Sequence, residues 1–312
     1  MMNNFLVSTG IYALLSLTLV PLVAHANEPV RSTKSTVKIS TKTPALQFGK
    51  SRQKSYKIWH KMVMPNEVVD IHLAPSEKAT IDGIRVGDQW QAPAHASNHN
   101  LVISNATGKT VRTQSIFVLE PSANIDKRGY LGDYKIGFYP KNTPQGFIKL
   151  EKSDMDLSVS PNFTVGQFIC KQQINEWPKY LLVSDNNLHR LETLLARLKK
   201  EGRTNADTLF VMSGFRTPAY NTAIGSAKLS RHMYGDAADV YLDTQPTDGI
   251  MDDINGDGHL TKADANYLYD YAQNLFAETD VSKGGIGAYK ANSVHGPFVH
   301  IDARGRTARW GR

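Results

Sequence analysis

The chain has 312 residues, long enough to build two cores, and its 41% hydrophobic and 21% charged residues are an ordinary globular mix. A single cysteine, Cys170, excludes an internal disulfide, and the lack of an internal repeat excludes a solenoid or a propeller. The net charge of +7 is uneven, and most of the excess sits near the N-terminus.

Residues 5–24 form one apolar run that closes with Ala24-His25-Ala26, the small-x-small pattern of a secretory cleavage site. A signal peptide over 1–26, and therefore export, is expected. The run has no Lys or Arg before it, so an uncleaved membrane anchor is the competing reading. No cysteine follows closely enough to carry a lipid. No later stretch approaches the ~18 apolar residues of a spanning helix, so no stable membrane span is expected. An exported chain without disulfides suits a periplasmic or secreted bacterial location.

Between 27 and 60 stand Arg31, Lys34, Lys38, Lys42, Lys50, Arg52, Lys54 and Lys57 against Glu28 alone, interleaved with Ser and Thr. This reads as a basic, solvated, flexible arm. Export argues against nucleic acid as its partner, which leaves anionic envelope polymers or lipid head groups, attracted non-specifically. From 61 to 142, short strand-like runs broken by turns (Val68 to Leu73, Asn100 to Ile103, Gln114 to Glu120) predict a small all-β, sandwich-like domain. Gly129 to Pro140 reads as its last strands, and Asn142 to Gly146 as a linker.

The remainder, 150–312, reads as an α+β domain with a small antiparallel sheet and helices. Cys170 lies in an apolar context and reads as a small buried side chain. Asn187 is placed to cap a helix with Leu188, Leu191, Leu194, Leu195 and Leu198 on one face, ending at Gly202. Leu209 to Met212 is then a short buried strand that delivers Ser213 and Arg216. A cation at such a strand end suits a peptide carboxylate or a developing oxyanion.

Two metal motifs follow. His232 and Asp239, seven residues apart with Gly235 between them, fit a tight loop feeding a strand, and Phe298-Val299-His300-Ile301-Asp302 alternates so that His300 and Asp302 share a face. Two imidazoles and a carboxylate make three zinc ligands with a fourth position open, and Asp302 is placed to orient His300. Between these segments, Asp253 to Asp264 matches the twelve-residue calcium loop, with Asp253, Asn255 and Asp257 at positions 1, 3 and 5 and Gly256 at 6. His259 would ligate through its backbone carbonyl, Leu260 supplies the apolar eighth position, and Asp264 stands at 12 where a Glu is usual. No clear helix precedes the loop, so its calcium would stiffen the scaffold.

Ser213-Gly214-Phe215-Arg216-Thr217-Pro218-Ala219-Tyr220-Asn221, Ser230 to Val240, Gly284-Gly285-Ile286-Gly287 and Phe298 to Asp302 together resemble the M15 zinc peptidases, D-Ala-D-Ala carboxypeptidases and murein endopeptidases. The resemblance covers roughly 155–312. It implies zinc on His232, Asp239 and His300, substrate binding and polarisation by Arg216, and peptidoglycan stem peptides as substrate. Many relatives place an acidic general base three residues before the last histidine, where this chain has Pro297. His295 is the substitute read here, since an imidazole moves a proton near neutral pH. The competing reading, favoured by Pro297, is a wall-binding protein, metal-stabilised and catalytically impaired.

Overall fold

The computed structural model describes the backbone of residues 36–39, 45–48 and 51–312 except Gln245, and side chains from Tyr56 onward. The expected signal peptide at 1–26 lies outside these residues, as do the side chains of the basic arm up to residue 55. Alternation of apolar and polar residues sets up a five-stranded sheet in the order Ile58–Val63 (β1), Thr110–Val118 (β5), Ser97–Ser104 (β4), Lys78–Ile81 (β2), Ile84–Val86 (β3). β1 joins β5 in parallel, and the other neighbours are antiparallel. Val63, Ile81, Leu101, Ile103 and Val118 meet Val69 and Ile71 of a second short sheet, giving this half a small core of its own.

The expected boundaries shift, for a packing reason. Tyr56, Trp59 and His60 are buried, so the chain enters the core before residue 61, and His60 Nδ1 donates to the Val159 carbonyl at 2.8 Å. Gly129 to Pro140 turns toward the other half, where the Ala219 N–H donates to the Ile136 carbonyl and the Tyr139 hydroxyl to that of Met233. The linker read at 142–146 runs straight into Gly146–Leu150 (β6), which pairs with Glu120–Pro121 on one side and Lys179–Leu181 (β7) on the other. One apolar core therefore runs from Tyr56 to Ile301, and the described residues form a single compact unit.

The second half is a mixed sheet backed by helices. Asp185–Lys200 (α1) is capped by Ser184, whose Oγ accepts from the Asn187 N–H at 3.4 Å, so the cap lies three residues upstream of the expected Asn187. Its five leucines are all buried, each removal from water being worth roughly 1.5–3 kcal/mol. The sheet runs Phe210–Ser213 (β8), Ala237–Tyr241 (β9), Phe298–Asp302 (β11), Gly285–Tyr289 (β10), Ala308–Trp310 (β12). It is antiparallel except for the parallel pair β10–β12, which the expectation of a small antiparallel sheet missed. β8 is an edge strand rather than a buried one, and its Phe210 is exposed. Pro218–Ala223 (α2) follows β8, while α1 and Lys262–Glu278 (α3) pack on one face of the sheet, where Val240, Val299 and Ile301 lie buried. The alternate residues, Asp239 and His300, point to the other face.

Candidate metal centre

β9 and β11 pair antiparallel with Asp239 directly opposite His300. Directly opposed residues on one face bring their side chains together. His232 arrives from a short 3₁₀ turn, Arg231–Tyr234, closed by Gly235 at φ 65°. A side chain at Gly235 would bring a Cβ to 2.3 Å from the Leu182 carbonyl oxygen, so both the left-handed turn and the close approach demand glycine.

The three side chains converge. His232 Nε2 lies 3.1 Å from His300 Nδ1 and 3.2 Å from Asp239 Oδ1, and His300 Nδ1 lies 2.8 Å from the same oxygen. The far nitrogen of each ring is committed elsewhere: His232 Nδ1 donates to the Gly214 carbonyl at 2.7 Å, and His300 Nε2 to Asp302 Oδ2 at 3.0 Å. Those bonds leave His232 Nε2 and His300 Nδ1, the nitrogens that face Asp239, as the ones a metal would take once they are unprotonated. Zinc bonds of ~2.0–2.1 Å in a tetrahedron separate neighbouring ligand atoms by about 3.3 Å, close to the spacings present here. The donor set, its burial and its outer hydrogen bonds all fit zinc. Among the described residues, this is the grouping of three close metal-ligating side chains.

Burial works against every charge in the cluster, and the hydrogen bonds decide which charges survive. Desolvation would raise the Asp239 carboxyl, but the two imidazoles outweigh it and hold it well below the usual range. Burial likewise opposes a charged His300, yet its bonds to Asp239 and Asp302 raise its pKa. His232, fully enclosed, is pushed down by burial despite Asp239. Asp302 sits deep below the carboxylate range, its desolvation overcome by His300, Arg304 and the Gly285 N–H.

Arg216 reaches the centre from beyond the end of β8. Its Nη2 donates to Asp239 Oδ2, and its Nε to the Ser213 hydroxyl at 2.8 Å, so Ser213 orients the guanidinium rather than the metal ligands. The cleft above the centre has a volume of about 760 Å³ and is lined by His232, Asp239, His300, Arg216, Arg231, Arg304 and His295, with Tyr289, Phe298 and Trp310 as an aromatic wall. Residues 161–252 match the Peptidase M15 family model. The match supports an M15 peptidase domain, and with it a hydrolase. It covers under a third of the chain, taking in Ser213, Arg216, His232 and Asp239 but ending before the calcium-type loop, His295 and His300. No curated protein matches the chain.

His295 stands at the rim of this cleft and makes no hydrogen bond to the three ligands. Its Nδ1 donates to the Gly296 carbonyl at 2.8 Å, its Nε2 accepts from the Asn292 amide at 2.9 Å, and its ring edge meets Phe298. Pro297, in the place of an acidic base, is buried. Two residues of the cleft escaped sequence reasoning. Trp310 packs on His300 with ring centroids 5.2 Å apart, and Arg304 donates to both oxygens of Asp302. The available signal was Gly287: a Cβ there would stand 2.2 Å from Trp310 Nε1, and a strand-interior glycine marks such close approach.

The loop from Asp253 to Asp264 lies apart from the cleft. Asp253 Oδ1 accepts from the Gly256 and Asp257 N–H groups and its Oδ2 from Gly258, while Asn255 Oδ1 accepts from Asp257 and Asp257 Oδ1 from His259. Gly256 takes φ 76°, as the sharp turn requires. Asp264 is fully buried and closes a capping box with Thr261 at the start of α3. Leu260 is exposed rather than tucked into the core.

Proposed function

We propose that this chain is an exported zinc peptidase that hydrolyses peptide bonds in peptidoglycan stem peptides. The convergence of His232, Asp239 and His300 in one open cleft carries the reading. Zinc held by these residues would supply Lewis acidity to the scissile carbonyl and to an attacking water. Arg216, locked by Ser213 and Asp239, presents a fixed cation where negative charge develops on the carbonyl oxygen. His295, at the cleft rim, takes a proton from the water and returns it to the leaving amine. Asp302 holds the His300 ring in its ligating orientation. The basic segment before residue 60 would bring the enzyme to anionic envelope polymers.

The second reading, a wall-binding protein with an impaired peptidase site, is favoured by Pro297 in the position of the missing acid. Purified sacculi incubated with the protein, with and without a zinc chelator, separate the two. Chelator-sensitive release of new muropeptides, read by mass spectrometry, supports the enzyme. Sedimentation with the wall and no product supports the binder.

The loop from Asp253 to Asp264 is proposed to hold a structural calcium. A ligand bound only by the native state stabilises it by mass action. Calcium at about 100 times its dissociation constant is expected to raise the melting temperature by roughly 4–5 °C in a unit of this size. Asp257→Ala should erase the shift. An unchanged wild-type melting temperature in millimolar calcium would remove the site from the proposal.

A further inference from the structure

We propose that Arg304 is a substrate-binding residue that holds a carboxylate flanking the scissile bond, an inference that rests on the peptidase reading of the same cleft. The cleft is lined by three guanidinium groups, Arg216, Arg231 and Arg304, against a single carboxylate, Asp239. Each is paired with a carboxylate, Arg216 with Asp239, Arg231 with Asp236 and Arg304 with Asp302, so what distinguishes them is the donors each has left for a ligand. The three are not equivalent. Arg216 bonds Asp239, one carboxylate from the metal position, so its cation serves the reacting carbonyl. Arg304 bonds Asp302, which bonds His300, which faces the metal position, so its cation stands one imidazole further from that position than the cation of Arg216.

Arg304 is also built to be rigid. Its Nε donates to both oxygens of Asp302 at 2.8 and 2.9 Å, and its Nη2 donates to Oδ2. The guanidinium lies over the Trp310 ring at 5.1 Å, and Trp310 Nε1 is in turn anchored on the Tyr289 hydroxyl at 2.8 Å. Nη1 is left with no hydrogen-bond partner among the described residues, on a side chain that is 23% exposed and lines the cleft. A planar cation held on one edge and one face, with donors left over, is pre-organised for a carboxylate. Arg231 is less suited, since it is tied to Asp236 beside Tyr234 and is farther from the ligands in the bonding network.

A stem peptide offers two carboxylates, one at its C-terminus and one on its γ-linked glutamate, and the test distinguishes them. The probes are L-Ala-γ-D-Glu-L-Lys-D-Ala-D-Ala, its C-terminal amide, and the form with isoglutamine in place of the glutamate. Binding to the zinc-loaded protein is measured by calorimetry, with zinc content checked for every variant. Wild type should lose roughly 10- to 100-fold in affinity when one particular carboxylate is amidated, the usual worth of a charge-assisted hydrogen bond, and little when the other is. In Arg304→Met the acid-to-amide ratio should fall to near one, whereas a merely structural role would weaken all three peptides alike. Arg304→Lys, which keeps a cation beside Asp302, should show an intermediate ratio and serves if the methionine variant does not fold. Indifference of wild type to both amidations, or an unchanged ratio in the Arg304 variants, overturns the assignment. Hydrolysis of the same peptides is followed in parallel. A carboxylate preference without products would sink the peptidase reading and leave the Arg304 site standing.

Discussion

His300→Ala is expected to abolish tight zinc binding and hydrolysis together, with zinc content falling from about one per chain to near zero. Removal of one of three donors leaves Asp239 and His232 with too few bonds to hold an ion against water. Asp302→Asn touches the same histidine from outside and should cost far less, about 10- to 100-fold in metal affinity, the usual effect of a group that only orients a ligand. Full occupancy in His300→Ala would sink the ligand assignment.

The same residues set a pH dependence whose sign can be worked out. In the metal-free protein the His300 pKa is raised and that of Asp239 is lowered. Their ion pair then stabilises the fold fully between the ordinary carboxylate value and the ordinary imidazole value, about pH 4 to 6.5. It is lost as pH rises through the raised His300 pKa, and again as pH falls through the lowered Asp239 pKa. Zinc makes the opposite demand, because it needs the His300 ring unprotonated on the facing nitrogen. The rise in melting temperature on adding zinc should therefore grow from about pH 6 to about pH 8. A zinc shift that stays constant across that window would place the ion elsewhere.

Much of this centre could be read from the chain because period-2 alternation is a strict rule. Once Asp239 and His300 are assigned to strands, their neighbours Val240, Val299 and Ile301 must face the core, and the two ligands must face away from it. What pairing puts opposite what is a tertiary fact, and the direct register of Asp239 with His300 is visible only in the sheet. The domain boundaries failed for a related reason. Asn142 to Gly146 has linker composition, but composition does not reveal that Gly146–Leu150 is captured between two other strands. The helix cap slipped because Ser184 and Asn187 are both good capping residues, and the packing of α1 chose the earlier one. Trp310 stood outside any motif because its place beside His300 depends on a parallel strand pairing across β10, and Arg304 because it folds back on Asp302 only after β11 ends.

His295→Ala is expected to lower turnover roughly 10²- to 10⁴-fold, the worth of a positioned acid or base, while zinc stays bound. Two other acids are already engaged: Asp236 is buried and tied to Arg231, and Asp243 accepts the N–H groups of Asp248 and Gly249 in a different cavity. His295 lines the cleft itself, and its Nε2 is restrained only by the exposed Asn292 amide, so a substrate or water can displace that partner. Arg216→Ala should behave differently, weakening substrate binding as well as turnover, because a fixed cation acts on ground state and transition state alike. If His295 only closes the loop from Asn292 to Gly296, its loss should cost a fewfold and leave the pH–rate profile in its wild-type shape. That outcome would remove it from the chemistry and leave proton transfer to groups on the metal side of the cleft. A large fall in kcat with zinc content intact, and a profile that loses one limb, would instead mark His295 as the group that replaces the acid missing at Pro297.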